Sequence, residues 1–222
     1  MISRLPRWVG AGGWMLAFIA GMLNVIALLG FEHHTVSHLT GATSLLGAAL
    51  AAHDMPGAGH FLAIIGAFVA GTIVSGLVIQ DSTLSLGRRY GLALLLESGV
   101  IALAVPLLAR QVSAGYFLLA GACGLQNAMA TTYSGAVVRT THVSGMFTDL
   151  GISLGHALRG LPVERRRLRL CCLIISGFLC GGVAGALGFQ HIGYDTLLLP
   201  AALTGGASLA YGLYRLRELR RA

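Results

Sequence analysis

Lysine is absent from this 222-residue chain, and charge of either sign is scarce: eight acidic residues and fifteen arginines make only 10% of it. Soluble domains carry roughly 25% charged residues, so the composition excludes an ordinary water-soluble domain. The four cysteines, Cys123, Cys171, Cys172 and Cys180, lie in or at the edge of apolar stretches and form no C-x-x-C pair. That pattern argues against a disulfide framework or a zinc site and suits small packing residues. No nucleophile, metal triad or cofactor motif stands out, so the reading is of a protein that is not an enzyme and holds no cofactor. "EHHTVSH" brings His33, His34 and His38 close in sequence, but no helix-borne pair in register accompanies them, and no metal site is assigned.

What is present is 55% hydrophobic residues, gathered in six apolar stretches at 12–30, 61–80, 91–109, 116–133, 170–189 and 195–213. As helices rising 1.5 Å per residue, each reaches across a hydrocarbon core of ~30 Å. The first follows Arg4 and Arg7, but no small-x-small cleavage site comes after it, so it reads as an uncleaved span. With the N-terminus in the cytoplasm, fourteen of the fifteen arginines fall on the cytoplasmic side and only Arg110 falls outside. This asymmetry predicts that both termini are cytoplasmic. It also accounts for the net charge of +7 without nucleic acid. The run "ERRRLRLCC" acts as a topology determinant and suits contact with anionic membrane lipids.

The chain repeats itself. "GMLN" at 21–24 matches "GLQN" at 124–127, and "SHLTGATSLLG" aligns without a gap on "THVSGMFTDLG". Further on, Phe68 pairs with Phe178 and Gly71 with Gly181. The unit is therefore an internal duplication within a single membrane domain, 1–222, with repeat one at 12–109 and repeat two at 116–214. Each copy holds three spans, an odd number, so the second is inserted upside down relative to the first. The segments 42–52 and 146–158 are short; the first, as helix, covers only ~16 Å, about half the hydrocarbon thickness. The expected fold is an all-α integral membrane protein with six transmembrane helices as a 3+3 inverted repeat. Each half carries a short re-entrant half-helix.

The half-helices are expected to start at Thr40-Gly41 and Ser144-Gly145, with Thr40 and Ser144 as N-caps and the glycines allowing a sharp turn or a close approach. Both tips are expected to meet near mid-membrane. There, unpaired N–H groups and the positive helix ends favour a negative or polar ligand group. The candidate solute-binding residues are Asn24, His38, Thr40, Gly41, Ala42, Asn127, His142, Ser144, Gly145 and Met146. Asp149 and Glu97 are the candidate coupling residues, because intramembrane carboxyls are costly and mark functional paths. Asp149 is matched by Leu45 in the other copy, and Glu97 by Ala201. The histidines and asparagines also have a structural reading, as partners for backbone groups freed where the chain breaks.

The stretches "AGMLNVIALLGFEHHTVSHLTGATSLLGAAL" and "GACGLQNAMATTYSGAVVRTTHVSGMFTDLG" resemble the two signature regions of the YoaK family, bacterial inner-membrane proteins with a domain of unknown function. The resemblance implies six spans and an inner-membrane location and supplies no substrate. That family commonly has Asp where this chain has Asn24, and Gly-Asn in place of Gly41-Ala42, which leaves Asp149 as the more promising titratable group. The function expected is a transporter or channel for a small anionic or polar solute; the alternative is a non-transporting scaffold or partner subunit. A homo-oligomer is compatible with either.

Overall fold

The computed structural model describes residues 7–79, 89–133 and 140–219. Its elements are α1 (Arg7–Leu29), α2 (Leu39–Ala51), α3 (Met55–Val78), α4 (Arg89–Ala109), α5 (Ala114–Tyr133), α6 (Val143–Leu158), α7 (Arg165–Ile192), a 3-10 turn (Gly193–Leu197) and α8 (Leu198–Leu219). No strand occurs among the described residues.

All six apolar stretches are helical, with ends that differ from the hydropathy reading for local reasons. Helix α3 begins at Met55 rather than 61, because Asp54 caps it by accepting from the Gly57 N–H at 3.0 Å and Pro56 occupies the first turn. Helix α7 begins at Arg165 rather than 170, since arginine is a good helix former and its charge does not end a helix. It stops at Gly193, whose φ of 57° is a conformation glycine adopts without strain. Among the described residues, four stretches are long and apolar enough to cross a membrane: Gly10–Leu29, Met55–Val78, Arg89–Ala109, and Arg165–Tyr214, which holds both α7 and α8. Helix α5 is not among them; Gln126 and Asn127 interrupt its apolar run.

The outside of the bundle is apolar. Leu62, Leu77, Leu103, Leu179 and Leu209 are each at least 60% exposed, the reverse of a soluble surface and the pattern a lipid-facing one requires. Burial instead concentrates on α1 and α5, where Ile19, Met22, Leu23, Ile26, Tyr116 and Leu119 are fully enclosed. Helix α1 packs on α7, α3 on α5, and α4 on both α5 and α8. Each short helix lies on the long helix that follows it, α2 on α3 and α6 on α7.

Glycine sets the two main helix contacts, and does so at matched positions. A Cβ on Gly71 would strike the Gly121 carbonyl, and one on Gly181 the Phe18 carbonyl. Likewise Gly124 abuts the Phe68 carbonyl and Gly21 the Phe178 carbonyl. In lipid the hydrophobic effect does not press helices together, so such close backbone approach, with its van der Waals contact, holds them.

Candidate functional site

The two polar phrases form the starts of α2 and α6, and the helices reach two residues further back than the sequence implies. His38 and His142, not Thr40 and Ser144, occupy the N-cap positions, and neither makes a side-chain capping bond. Thr40 and Ser144 are already inside the helical ladder, where their carbonyls accept from the Ser44 and Thr148 hydroxyls, each at 3.0 Å. Gly41 and Gly145 are helical too, so they make no sharp turn. Their missing side chains leave room for the preceding imidazole: a Cβ would stand 2.7 Å from His38 Nδ1 in one copy and 2.8 Å from His142 Cε1 in the other.

The amides of Ala42 and Met146 donate to the His38 and His142 carbonyls, at 3.2 and 3.3 Å, and are therefore not free for a ligand. Those of Leu39, Thr40 and Gly41, and of Val143, Ser144 and Gly145, find no acceptor among the described residues. These are the orphan donors of a helix start. His38, Thr40, His142 and Ser144 are exposed, whereas Ala42 and Met146 are 6% and 8% exposed. Ala42 packs in the cluster containing Ile64 of α3 and Ala120 of α5, and Met146 in the one containing Ile174 of α7 and Ala17 of α1.

Helices α2 and α6 make no contact with each other. Each is tied by a short connection to its own long helix, and those long helices belong to different pairs, α3 with α5 and α7 with α1.

The asparagines differ. Asn24 Oδ1 accepts from the Ser37 hydroxyl at 2.9 Å and from the Ser37 N–H at 3.3 Å, which fixes the chain just before α2. Asn127 Oδ1 is buried without a partner. It borders an open cleft of about 310 Å³ between α3 and α5, lined by Thr72, Gly76, Asn127, Ala128, Thr131 and Thr132.

The chain before α6 is held instead by Gln126, which sequence reasoning passed over. Its Nε2 donates to the Leu16 carbonyl at 2.6 Å and to the Thr140 hydroxyl at 3.1 Å. Gln126 and Thr140 are both fully buried. The signal was present: Leu119, Ala122, Cys123, Gln126 and Ala130 recur at helical spacing along the buried face of α5, and Asn127 lies off it.

The two carboxyl candidates lie apart from the helix starts. Glu97, in α4, is fully buried, and neither carboxyl oxygen has a hydrogen-bond partner; α4 touches neither short helix. Asp149 pairs with Arg167 at 2.7 Å across the α6–α7 seam, which gives it a structural task.

A further cluster, also missed, holds the end of α1. The Phe31 N–H donates to the Tyr194 hydroxyl at 2.9 Å and the Glu32 N–H to the Tyr116 hydroxyl at 3.1 Å. Tyr116 in turn donates to the Ala27 carbonyl at 3.0 Å. Glu32 and His60 stand 3.1 Å apart, with the His34 ring 6.2 Å from that of His60. Among the described residues no group of three His, Cys, Asp or Glu is placed to hold a metal ion.

No curated protein and no solved structure matches the chain. A family model does, that of a protein of unknown function, DUF1275, over residues 12–210; with nearly its whole length matched, the chain belongs to that family.

Proposed function

We propose that this protein is a transporter or channel for a small polar or anionic solute in a bacterial inner membrane. On this reading it is not an enzyme. Its six long helices form a 3+3 inverted repeat, repeat one at 12–109 and repeat two at 116–214, with α2 and α6 as re-entrant half-helices. The arginine distribution puts both termini in the cytoplasm. The likeness of the two signature regions to the YoaK family agrees with this location.

The observation that carries the reading is the matched pair of short helices, each packed on the long helix that follows it, Ala42 in one cluster with Ile64 and Met146 in another with Ile174, with their first three N–H groups unbonded. Uncapped backbone within a membrane is tolerated only in protein or along a wet cavity. The interlocked packing of α1 with α7 and of α3 with α5, made through glycines at matched positions, supports two equivalent halves related by an axis in the membrane plane. The solute path uses two half-sites, one at each short-helix start. Asn24, His38, Thr40 and Gly41 serve one; His142, Ser144 and Gly145 serve the other, and Asn127 borders the cleft between α3 and α5. Glu97, buried and unpaired, is the stronger candidate for coupling to protons, since Asp149 already has Arg167 as its partner.

Uptake into proteoliposomes, with a panel of small anions and neutral metabolites, tests the proposal. Gly41→Val and Gly145→Val displace the imidazoles from the helix starts and should each lower flux at least about tenfold, a change of ~1.4 kcal/mol in the barrier. Flux unchanged in both variants would remove the half-sites from the mechanism. A scaffold reading is favoured by one observation, the engagement of Asn24 by Ser37. It predicts no flux of any solute.

A further inference from the structure

We infer that the cleft between α3 and α5 is a binding site for a small uncharged polyol. This rests on the solute-path reading and narrows the solute to a neutral one. The cleft of about 310 Å³ is lined by Thr72 and Gly76 from α3 and by Asn127, Ala128, Thr131 and Thr132 from α5. At ~30 Å³ per water it has room for about ten waters, the scale of a molecule with a few hydroxyl groups.

Among the described residues that line it, none is ionisable. Holding an ion there without a counter-charge, between apolar helices, costs several kcal/mol; a neutral molecule avoids that cost. The polar groups suit a ligand that donates hydrogen bonds. The Thr72 hydroxyl spends its proton on the Val69 carbonyl at 2.7 Å and leaves its lone pairs to the cleft. Asn127 Oδ1 has no partner and is shut off from solvent, so a ligand donor reaches it when the Asn127 amide turns towards the cleft. Thr132 adds a hydroxyl that can turn to give or to accept.

The repeat supplies an internal control. The positions matching Thr72, Gly76, Ala128, Thr131 and Thr132 are Gly182, Ala186, Val25, Leu28 and Leu29, all without a polar side chain. At the matching asparagine, Asn24, the oxygen is occupied by Ser37. The polar lining is therefore no requirement of the shared scaffold. It is a property of this one cleft.

The test uses the full chain in lipid nanodiscs with its four cysteines replaced by alanine and Ala128→Cys as a reporter. Maleimide labelling is timed with and without erythritol. At ten times the half-protecting concentration, labelling should slow about tenfold. The same reporter carrying Thr72→Val and Asn127→Leu should lose the protection while keeping its melting midpoint. Equal slowing in both backgrounds, the signature of an osmolyte or viscosity effect, would overturn the inference, as would protection by acetate or methylammonium in place of erythritol. Flux of an ion in proteoliposomes with labelling indifferent to erythritol sinks this inference and leaves the transport reading standing. Erythritol protection with no flux of any solute does the reverse.

Discussion

Asn24 and Asn127 occupy matched positions in two similar stretches of the chain, yet they have different tasks. In the first copy the amide oxygen takes two hydrogen bonds from Ser37 and fixes the chain where it turns into α2. In the second the oxygen is left unpaired beside a cleft, and the neighbouring Gln126 does the fixing through Thr140. The side chain is the same, so its neighbours decide whether it is structural or available. Differences between the two matched stretches, Leu23 against Gln126 and Leu28 against Thr131, accompany this division of tasks.

The shared part of the scaffold is where substitution should cost most. Gly71→Ala and Gly181→Ala each drive a methyl into the carbonyl of a neighbouring helix, and backbone cannot yield as a flexible side chain can. Overpacking of this kind costs up to about 3 kcal/mol. Denaturant titration in detergent micelles should show the two variants destabilised alike. Gly47→Ala and Gly151→Ala, matched positions with open space around them, should instead gain up to ~1 kcal/mol from helix propensity. If Gly71→Ala were harmless while Gly181→Ala unfolded the chain, the equivalence of the two contacts would be broken.

The divergent part comes next. Asn24→Leu removes the acceptor for two Ser37 donors and should cost about 2 kcal/mol, since buried donors left unpaired lose about 1–3 kcal/mol. Asn127→Leu removes an oxygen that already lacks a partner and should be neutral or slightly stabilising. The same titration separates them, and equal losses would mean that the two asparagines do the same work.

How far the sequence speaks for the structure follows from the same division. The long helices were legible because apolar runs report burial or lipid contact directly, and the matched phrases were legible because repetition survives in residue identity. Helix starts were not, because they depend on single residues, such as Asp54 capping α3 through its side chain, rather than on average hydropathy. Which long helices pair was also hidden. Nothing local in "SHLTG" encodes that α3 sits on α5 and α7 on α1. The hydroxyls of Tyr116 and Tyr194 under Phe31 and Glu32 join residues 84 and 163 positions apart, beyond any local pattern.

A smaller difference between the halves lies at Asp149, where the first copy has Leu45. Its pair with Arg167 ties α6 to α7, but the arginine side chain is 56% exposed, so solvent and salt weaken it. Arg167→Ala should cost about 0.5 kcal/mol at low salt and almost nothing at 1 M. A salt-independent loss would show that packing of the arginine stem, not charge, holds the seam.

The smallest effect concerns His34, in the connection leading to α2. Partial burial first, and then the nearby His60, hold its pKa below the ordinary 6.5; Glu32 opposes this and His33 adds to it. Folding therefore favours the neutral ring, and between the lowered folded value and 6.5 the unfolded chain binds more protons than the folded one. The stability this group contributes is complete above about pH 6.5 and is lost as the pH falls through the folded value. The melting midpoint of the parent should drop between pH 7.5 and 5, and that of His34→Gln should drop less, because an uncharged amide has no proton to take up. Glu32 and His60 remain in both proteins, so the difference between the two curves isolates His34. Identical curves would leave His34 as packing against Phe61.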